Sequence, residues 1–326
     1  MAAQNQNSTI NPFEALSIVL NANGSLTRHP HPLSTLSLNT TKSVVCTDIP
    51  LNPNRNTSIR IFQPPIHPTT PKIPLIIYFH GGGFLIFSAK SPPYSEFCLQ
   101  IASELPALVL SVGYSLAPED RLPSAYEDAL DAVVWVKNHA FKGEYKYDFF
   151  DYVDFSKCFI MGSSSGGNIT YQLGLQALKL NLEPFRINGL IMIQPFFGKV
   201  ERSGSELRLA NDNILPLPVT DLMWELSLPV GADRDHQYCN PMKGSQNQEI
   251  KRLPRCFVRG YGGDPLIDRQ KEFVKMLEEE GASVIKYFLE DGFHACELFF
   301  PDKAQALYVD LKDFIYSSPE TNKSTL

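Results

Sequence analysis

Two glycines stand two residues to either side of a serine in Gly162-Ser163-Ser164-Ser165-Gly166, which follows the apolar run 158–160 and precedes a stretch with helical character. The spacing has a mechanical reason in that setting. A strand that turns directly into a helix strains its central residue and holds it out in the open, and the flanking glycines remove side chains that would collide there. Ser164 is therefore the candidate nucleophile. The backbone N–H of Ser165 then lies at a helix N-terminus, where it can hold a negatively charged oxygen. The five residues alone fit a plain Gly/Ser loop equally well, so the remaining parts of a reaction must be found elsewhere.

A serine hydroxyl needs a base, and the base needs a carboxylate to fix its tautomer. Two histidines follow Ser164. His236 lies in Asp233-Arg234-Asp235-His236, a charged segment that suits a solvated or salt-bridged role. His294 closes Asp291-Gly292-Phe293-His294 directly after the last expected strand and is the better base. The acid is expected in the loop after the preceding strand, Gly262-Gly263-Asp264-Pro265-Leu266-Ile267-Asp268. Asp264 is the first carboxylate off that strand; Asp268 is the alternative, although its place at the start of a helix suits a cap better. A third element, His80-Gly81-Gly82-Gly83-Phe84, follows a buried strand and exposes backbone N–H groups. Gly82, Gly83 and Ser165 together supply three donors for a tetrahedral oxyanion. A phosphate loop is the rival reading, but no Lys-Ser/Thr follows these glycines. His80 reads as structural. The order Ser, acid, His matches one known arrangement of such parts.

The elements that must position these residues can be read from pattern. The runs 73–79 and 107–112 are continuously apolar, as in strands covered on both faces of a parallel sheet. Strands are also expected at 157–161, 187–193, 256–261 and 284–289, and helices at 94–105, 123–137, 269–280 and 304–317. Strand and helix alternate, so the fold class is α/β, a mostly parallel sheet with helices on both faces. Residues 44–51 and 58–62 alternate like an antiparallel pair around Asn52-Pro53-Asn54-Arg55-Asn56. The apolar patch 13–20 reads as a short helix with Asn11 as N-cap and Pro12 at its first position. Residues 199–240, with Pro216, Pro218 and the amphipathic 219–228, interrupt the alternation and suit a lid over the carboxyl ends of the strands. Within these segments Phe13, Phe84, Phe87, Leu215 and Trp224 are candidates to line an apolar substrate pocket, with plain core packing as the competing role.

The bulk numbers set limits. A chain of 326 residues is long enough for one large α/β domain or two small ones, and its 43% hydrophobic residues can fill a substantial core. Net charge −6 and a pI near 5.7, with no Lys/Arg cluster, argue against a nucleic-acid or anionic-membrane partner. The polar start, without a basic segment leading into an apolar core, gives no sign of a signal peptide, and no apolar run is long enough to span a bilayer. A cytoplasmic protein is the expectation. Six scattered cysteines without a C-x-x-C pair suit reduced, mostly buried thiols better than disulfides or a metal site.

The residues His80 to Phe84, Tyr114-Ser115-Leu116-Ala117-Pro118-Glu119-Asp120-Arg121-Leu122-Pro123, Gly162 to Asn168, Asp264 to Gln270 and Gly292-Phe293-His294 resemble the hormone-sensitive-lipase-like branch of α/β-hydrolases, and within it the plant carboxylesterases. The resemblance covers most of the chain. It implies an α/β-hydrolase fold, a Ser164–His294–Asp264 triad, an oxyanion hole at Gly82, Gly83 and Ser165, and no cofactor or metal. It further implies one domain over 1–326, capped by about 1–41 and 199–240, in a monomer or homodimer acting on a small-molecule ester. Acetate-type esters of plant specialised metabolites fit best. Ser163 stands where the family usually has Asp or Glu, Ser165 where Ala is usual, Ser115 where Arg is common and Asp120 where His is common, which touches the packing beneath the serine and the substrate preference. The family also holds non-hydrolytic dehydratases and cyclases, and gibberellin-receptor-like binders that lack the histidine retained here as His294.

Overall fold

The computed structural model describes residues 10–35, 44–65, 71–141, 147–244 and 248–317. An N-terminal arm holds α1 (Pro12–Ala15), β1 (Ile18–Leu20) and β2 (Leu26–Arg28), and is followed by the antiparallel pair β3 (Val45–Asn52) and β4 (Thr57–Gln63). Alternation then sets in: β5 (Ile73–Phe79), α2 (Pro92–Glu104), β6 (Leu108–Gly113), α3 (Ser124–Phe141), β7 (Val153–Ser163), α4 (Ser165–Ala177) and β8 (Ile187–Ile193). Two helices break it, α5 (Gly204–Arg208) and α6 (Leu217–Ser227), before β9 (Arg255–Gly263), α7 (Ile267–Glu279), β10 (Val284–Phe293) and α8 (Pro301–Tyr316) complete the chain.

Among the described residues the main sheet runs β10-β9-β8-β7-β5-β6-β4-β3, parallel from β10 to β6 and antiparallel only at β4 and β3. Every residue of β5 is buried, which is what a central strand covered on both faces requires. Its side chains alternate between two cores. Leu75, Ile77 and Phe79 join the layer with α3, α4 and α7, while Ile76 and Tyr78 face α2 and α8. The parallel register brings the carboxyl ends of β5, β7, β8, β9 and β10 to one edge, Phe79 beside Gly162, Ser163 beside Ile193, and Gly263 beside Phe293. Such an edge is where open α/β sheets hold their ligands.

The arm departs from expectation. Asn11 does cap the helix, accepting the Phe13 N–H at 3.1 Å, and Pro12 opens it. The helix nevertheless ends at Ala15. Ser17 takes φ 54° and the β-branched pair Ile18-Val19 extends into a hairpin with β2, closed by the Asn21 N–H to Ser25 carbonyl bond of 2.8 Å. Residues 1–9 and 36–41 of the expected cap lie outside the described residues. Among the described residues no helix is long and apolar enough to cross a membrane. All six cysteines are free, five of them buried and Cys46 exposed.

Candidate active site

Five neighbouring strands each deliver one part to the shared edge. β7 ends at Ser163, and Ser164 turns into α4 with φ 54° and ψ −117°, backbone space that L-residues avoid. Glycine is obligatory around it: a Cβ at Gly162 would meet the Gly166 carbonyl oxygen at 2.0 Å, and one at Gly166 would meet the Phe79 carbonyl oxygen at 2.0 Å. Ser165 opens α4, so its N–H has no partner within the helix. Beneath the turn, Ser163 accepts the Tyr78 hydroxyl at 3.0 Å, so a hydroxyl pair occupies the position where a carboxylate was expected from the family.

His294, one residue past β10, places Nε2 3.1 Å from Ser164 Oγ and Nδ1 2.9 Å from Asp264 Oδ2. Asp264, one residue past β9, is fully buried. Its Oδ2 also accepts the side-chain amides of Gln194 at 3.1 Å and Gln270 at 3.0 Å, and its Oδ1 accepts the Leu266 N–H at 2.9 Å. The carboxylate fixes the imidazole proton on Nδ1 and leaves Nε2 to accept from the serine hydroxyl. Burial works to lower the pKa of His294, yet the charge and hydrogen bond of Asp264, joined by the charges of Asp212 and Glu297, outweigh it and hold the ring above its ordinary value.

The loop after β5 packs against this group. Gly82 and Gly83 carry φ 117° and 59°, and a Cβ on Gly82 would meet the Ile86 carbonyl oxygen at 2.2 Å. No hydrogen bond of the described residues uses the N–H of Gly82 or Gly83. His80 is fully buried, stacked on Tyr114 with centroids 4.3 Å apart, and bonded through Nδ1 to the Gly81 carbonyl at 2.7 Å. Burial lowers its pKa to about 4, so it stays neutral and ties the loop. Asp268 is engaged elsewhere, accepting the Ser205 N–H of α5 at 2.7 Å, and His236 bonds the Tyr238 N–H at 3.3 Å within its own turn.

Ser164, His294, Gly82 and Gly83 border a cavity of about 390 Å³, whose far walls come from the arm (Ile10, Leu16, His31) and from the segment 211–223. Phe87 and Leu215 line it. Phe13, Phe84 and Trp224 do not. Phe84 and Trp224 pack on each other and on Phe196 beneath the wall, with Phe196 and Trp224 stacked at 4.4 Å, and Phe13 packs on the main core. Met223, the residue before Trp224 on α6, reaches the cavity instead. Sequence reasoning missed Gln194, which follows β8 with φ 46° and spans the site: its amide donates to Asp264 and to the Phe293 carbonyl at 2.9 Å, and its oxygen accepts the Ala295 N–H at 2.8 Å. Its place one residue past an apolar strand was the available signal.

A family model described as the alpha/beta hydrolase fold matches residues 76–298. The chain belongs to the alpha/beta hydrolase family. It is 50% identical over 301 residues to the 3-O-acetylpapaveroxine carboxylesterase CXE2 of Papaver somniferum, covering 89% of this chain and 94% of that protein. It is 47% identical over 316 residues to the CXE1 protein of the same name and species, covering 93% and 97%. With these relatives it stands among the plant carboxylesterases, which are carboxylic ester hydrolases. A solved arylesterase structure superposes with TM-score 0.71 at 23% identity, covering 87% of each chain, a likeness of fold.

Proposed function

We propose that this protein is a serine carboxylesterase that hydrolyses small acyl esters, acetates foremost, of plant specialised metabolites. The observation that carries this reading is the continuous hydrogen-bonded path from Ser164 through His294 to Asp264 at the floor of a largely apolar cavity. The Papaver somniferum relatives are named for a 3-O-acetyl substrate, which supports reading an acetyl preference here.

In the proposed reaction His294 Nε2 takes the Ser164 proton as Oγ attacks the ester carbonyl. The oxyanion is held by the N–H groups of Gly82, Gly83 and Ser165, each worth about 3 kcal/mol in a water-excluded site. Asp264 keeps the imidazole in register and balances its positive charge. His294 then protonates the leaving alkoxide, and water repeats the sequence on the acyl-enzyme. The arm from residue 10 to 35 and the segment 199–240 act as a cap over a single hydrolase domain, excluding water from the acyl group and bounding the alcohol.

Incubation with a panel of acyl esters, followed by mass spectrometry of the intact protein and its peptides, tests the reading. An acyl adduct on Ser164 and a fall in kcat of about 10⁴ to 10⁶ for Ser164→Ala are expected. Activity within tenfold of wild type in that variant would refute it.

A further inference from the structure

Among the described residues Asp212 is the only carboxylate lining the cavity, and no described Arg or Lys lines it. A tight turn fixes the side chain: Oδ1 accepts the Ile214 N–H at 2.8 Å and the Leu215 N–H at 2.7 Å. No hydrogen bond of the described residues engages Oδ2. The charge reaches the reacting groups, since it is one of those that raise the pKa of His294. Neither histidine in the wall cancels it. His294 is bound to Asp264, and burial lowers the pKa of His31, leaving a neutral ring packed edge-on to Phe87 at 5.2 Å.

A single negative charge on a largely apolar wall, whose other polar members Asn211, Asn213, His31 and Tyr94 are uncharged, favours a positively charged ligand and disfavours an anionic one. Phe87, Tyr94 and Phe299 add aromatic rings, whose faces attract cations. The net charge of −6 draws cations from solution in the same sense. We propose that the cavity selects esters whose alcohol part carries a cationic amine, with Asp212 as the residue that recognises it. The proposal rests on the ester-hydrolase reading and names the substrate class of that same site. It makes Asp212 a specificity residue, and it predicts discrimination against esters bearing a carboxylate or phosphate.

Acetylcholine and 3,3-dimethylbutyl acetate test it, because they have the same shape and differ in one fixed charge. For the wild-type protein kcat/KM is expected to be at least about tenfold higher for acetylcholine, equivalent to 1.4 kcal/mol. Asp212→Asn keeps an Oδ1 acceptor for the turn and is expected to bring the ratio to within about twofold of unity. Equal rates in the wild type, or a ratio unchanged by the substitution, would overturn the proposal and leave ester hydrolysis standing. Calorimetric titration with phenyltrimethylammonium, which is no ester, reads the cation site without turnover. Binding weakened about tenfold by Asp212→Asn supports the proposal; no binding to the wild type overturns it. Cation binding through Asp212 with neither ester cleaved would keep the site and remove the hydrolase reading.

Discussion

The His294 ring is set between opposing influences. Burial favours its neutral form, while the negative charges of Asp264, Asp212 and Glu297 favour the protonated one, and the charges prevail. In the proposed reaction only the neutral ring can take the serine proton. The profile of kcat/KM against pH should therefore fall on the acid side with a midpoint above 6.5, the ordinary value. Glu297 is buried near His294, and burial raises its own pKa against the pull of Arg259, 3.6 Å away. Replacing it by glutamine removes one negative charge, so the acid limb in Glu297→Gln should move to lower pH while the alkaline plateau persists. A limb that stays in place or moves upward would show that this charge does not reach the imidazole. At this scale the sequence was most readable where chemistry restricts residue type. Ser164, Asp264 and His294 could be singled out because few side chains do their work in that order. Gln194 and Glu297 were not, because an amide or a carboxylate that acts through a neighbour has no spacing of its own. Phe84 and Trp224 failed as pocket residues for a related reason: a hydrophobic side chain does not record which of two adjacent apolar spaces it fills.

Between β7 and α4 the backbone itself is the constraint. The approach of the Gly166 Cα to the Phe79 carbonyl leaves no room for a methyl group, and Asn168, two residues later, fastens the helix through the Tyr126 hydroxyl at 2.8 Å and the carbonyls of Phe196 at 3.1 Å and Tyr238 at 2.8 Å. Asn168 is thus fully buried and bonded on both side-chain atoms. Gly166→Ala should destabilise the fold by about 3 kcal/mol or more, because neither carbonyl nor helix can retreat. Gly231 provides the contrast. Its φ is +86° but nothing lies within 4 Å of the missing Cβ, so Gly231→Ala should cost only the left-handed conformation, about 1 kcal/mol. Denaturant unfolding of both variants checks the pair, and equal losses would mean that crowding at the turn is not what demands glycine. The same distinction explains which elements were legible. Strands buried on both faces, such as β5, announce themselves as unbroken apolar runs. The arm does not, since a four-residue helix followed by a hairpin scatters its apolar residues much as one longer helix would.

On the scale of the whole molecule, the cavity exists only because two segments far apart in the chain close over one sheet edge, and neither belongs to the alternating core. Arg28 carries much of the arm's attachment. It donates from Nε to the Leu85 carbonyl at 2.6 Å, from Nη2 to the Ala117 carbonyl at 2.7 Å, and from both terminal nitrogens to Glu119, which also accepts the Leu26 N–H at 2.7 Å. Its receiving points flank the loop after β5 and the segment after β6, so the arm is held to the backbone that carries Gly82 and Gly83. The ion pair is partly exposed and by itself contributes at most about 1 kcal/mol; the carbonyl contacts give the attachment its direction. Arg28→Ala should therefore loosen one wall of the cavity while leaving the Ser164–His294–Asp264 path untouched. For p-nitrophenyl acetate, whose small acyl group needs little from the far wall, kcat should hold. For an ester with a bulky alcohol, KM should rise severalfold, because the binding surface supplied by Ile10, Leu16 and His31 is lost part of the time. A parallel loss of kcat on both substrates would instead place the effect of Arg28 on the loop that bears the proposed oxyanion donors, and the two outcomes separate a wall that bounds substrate from one that supports the reacting groups.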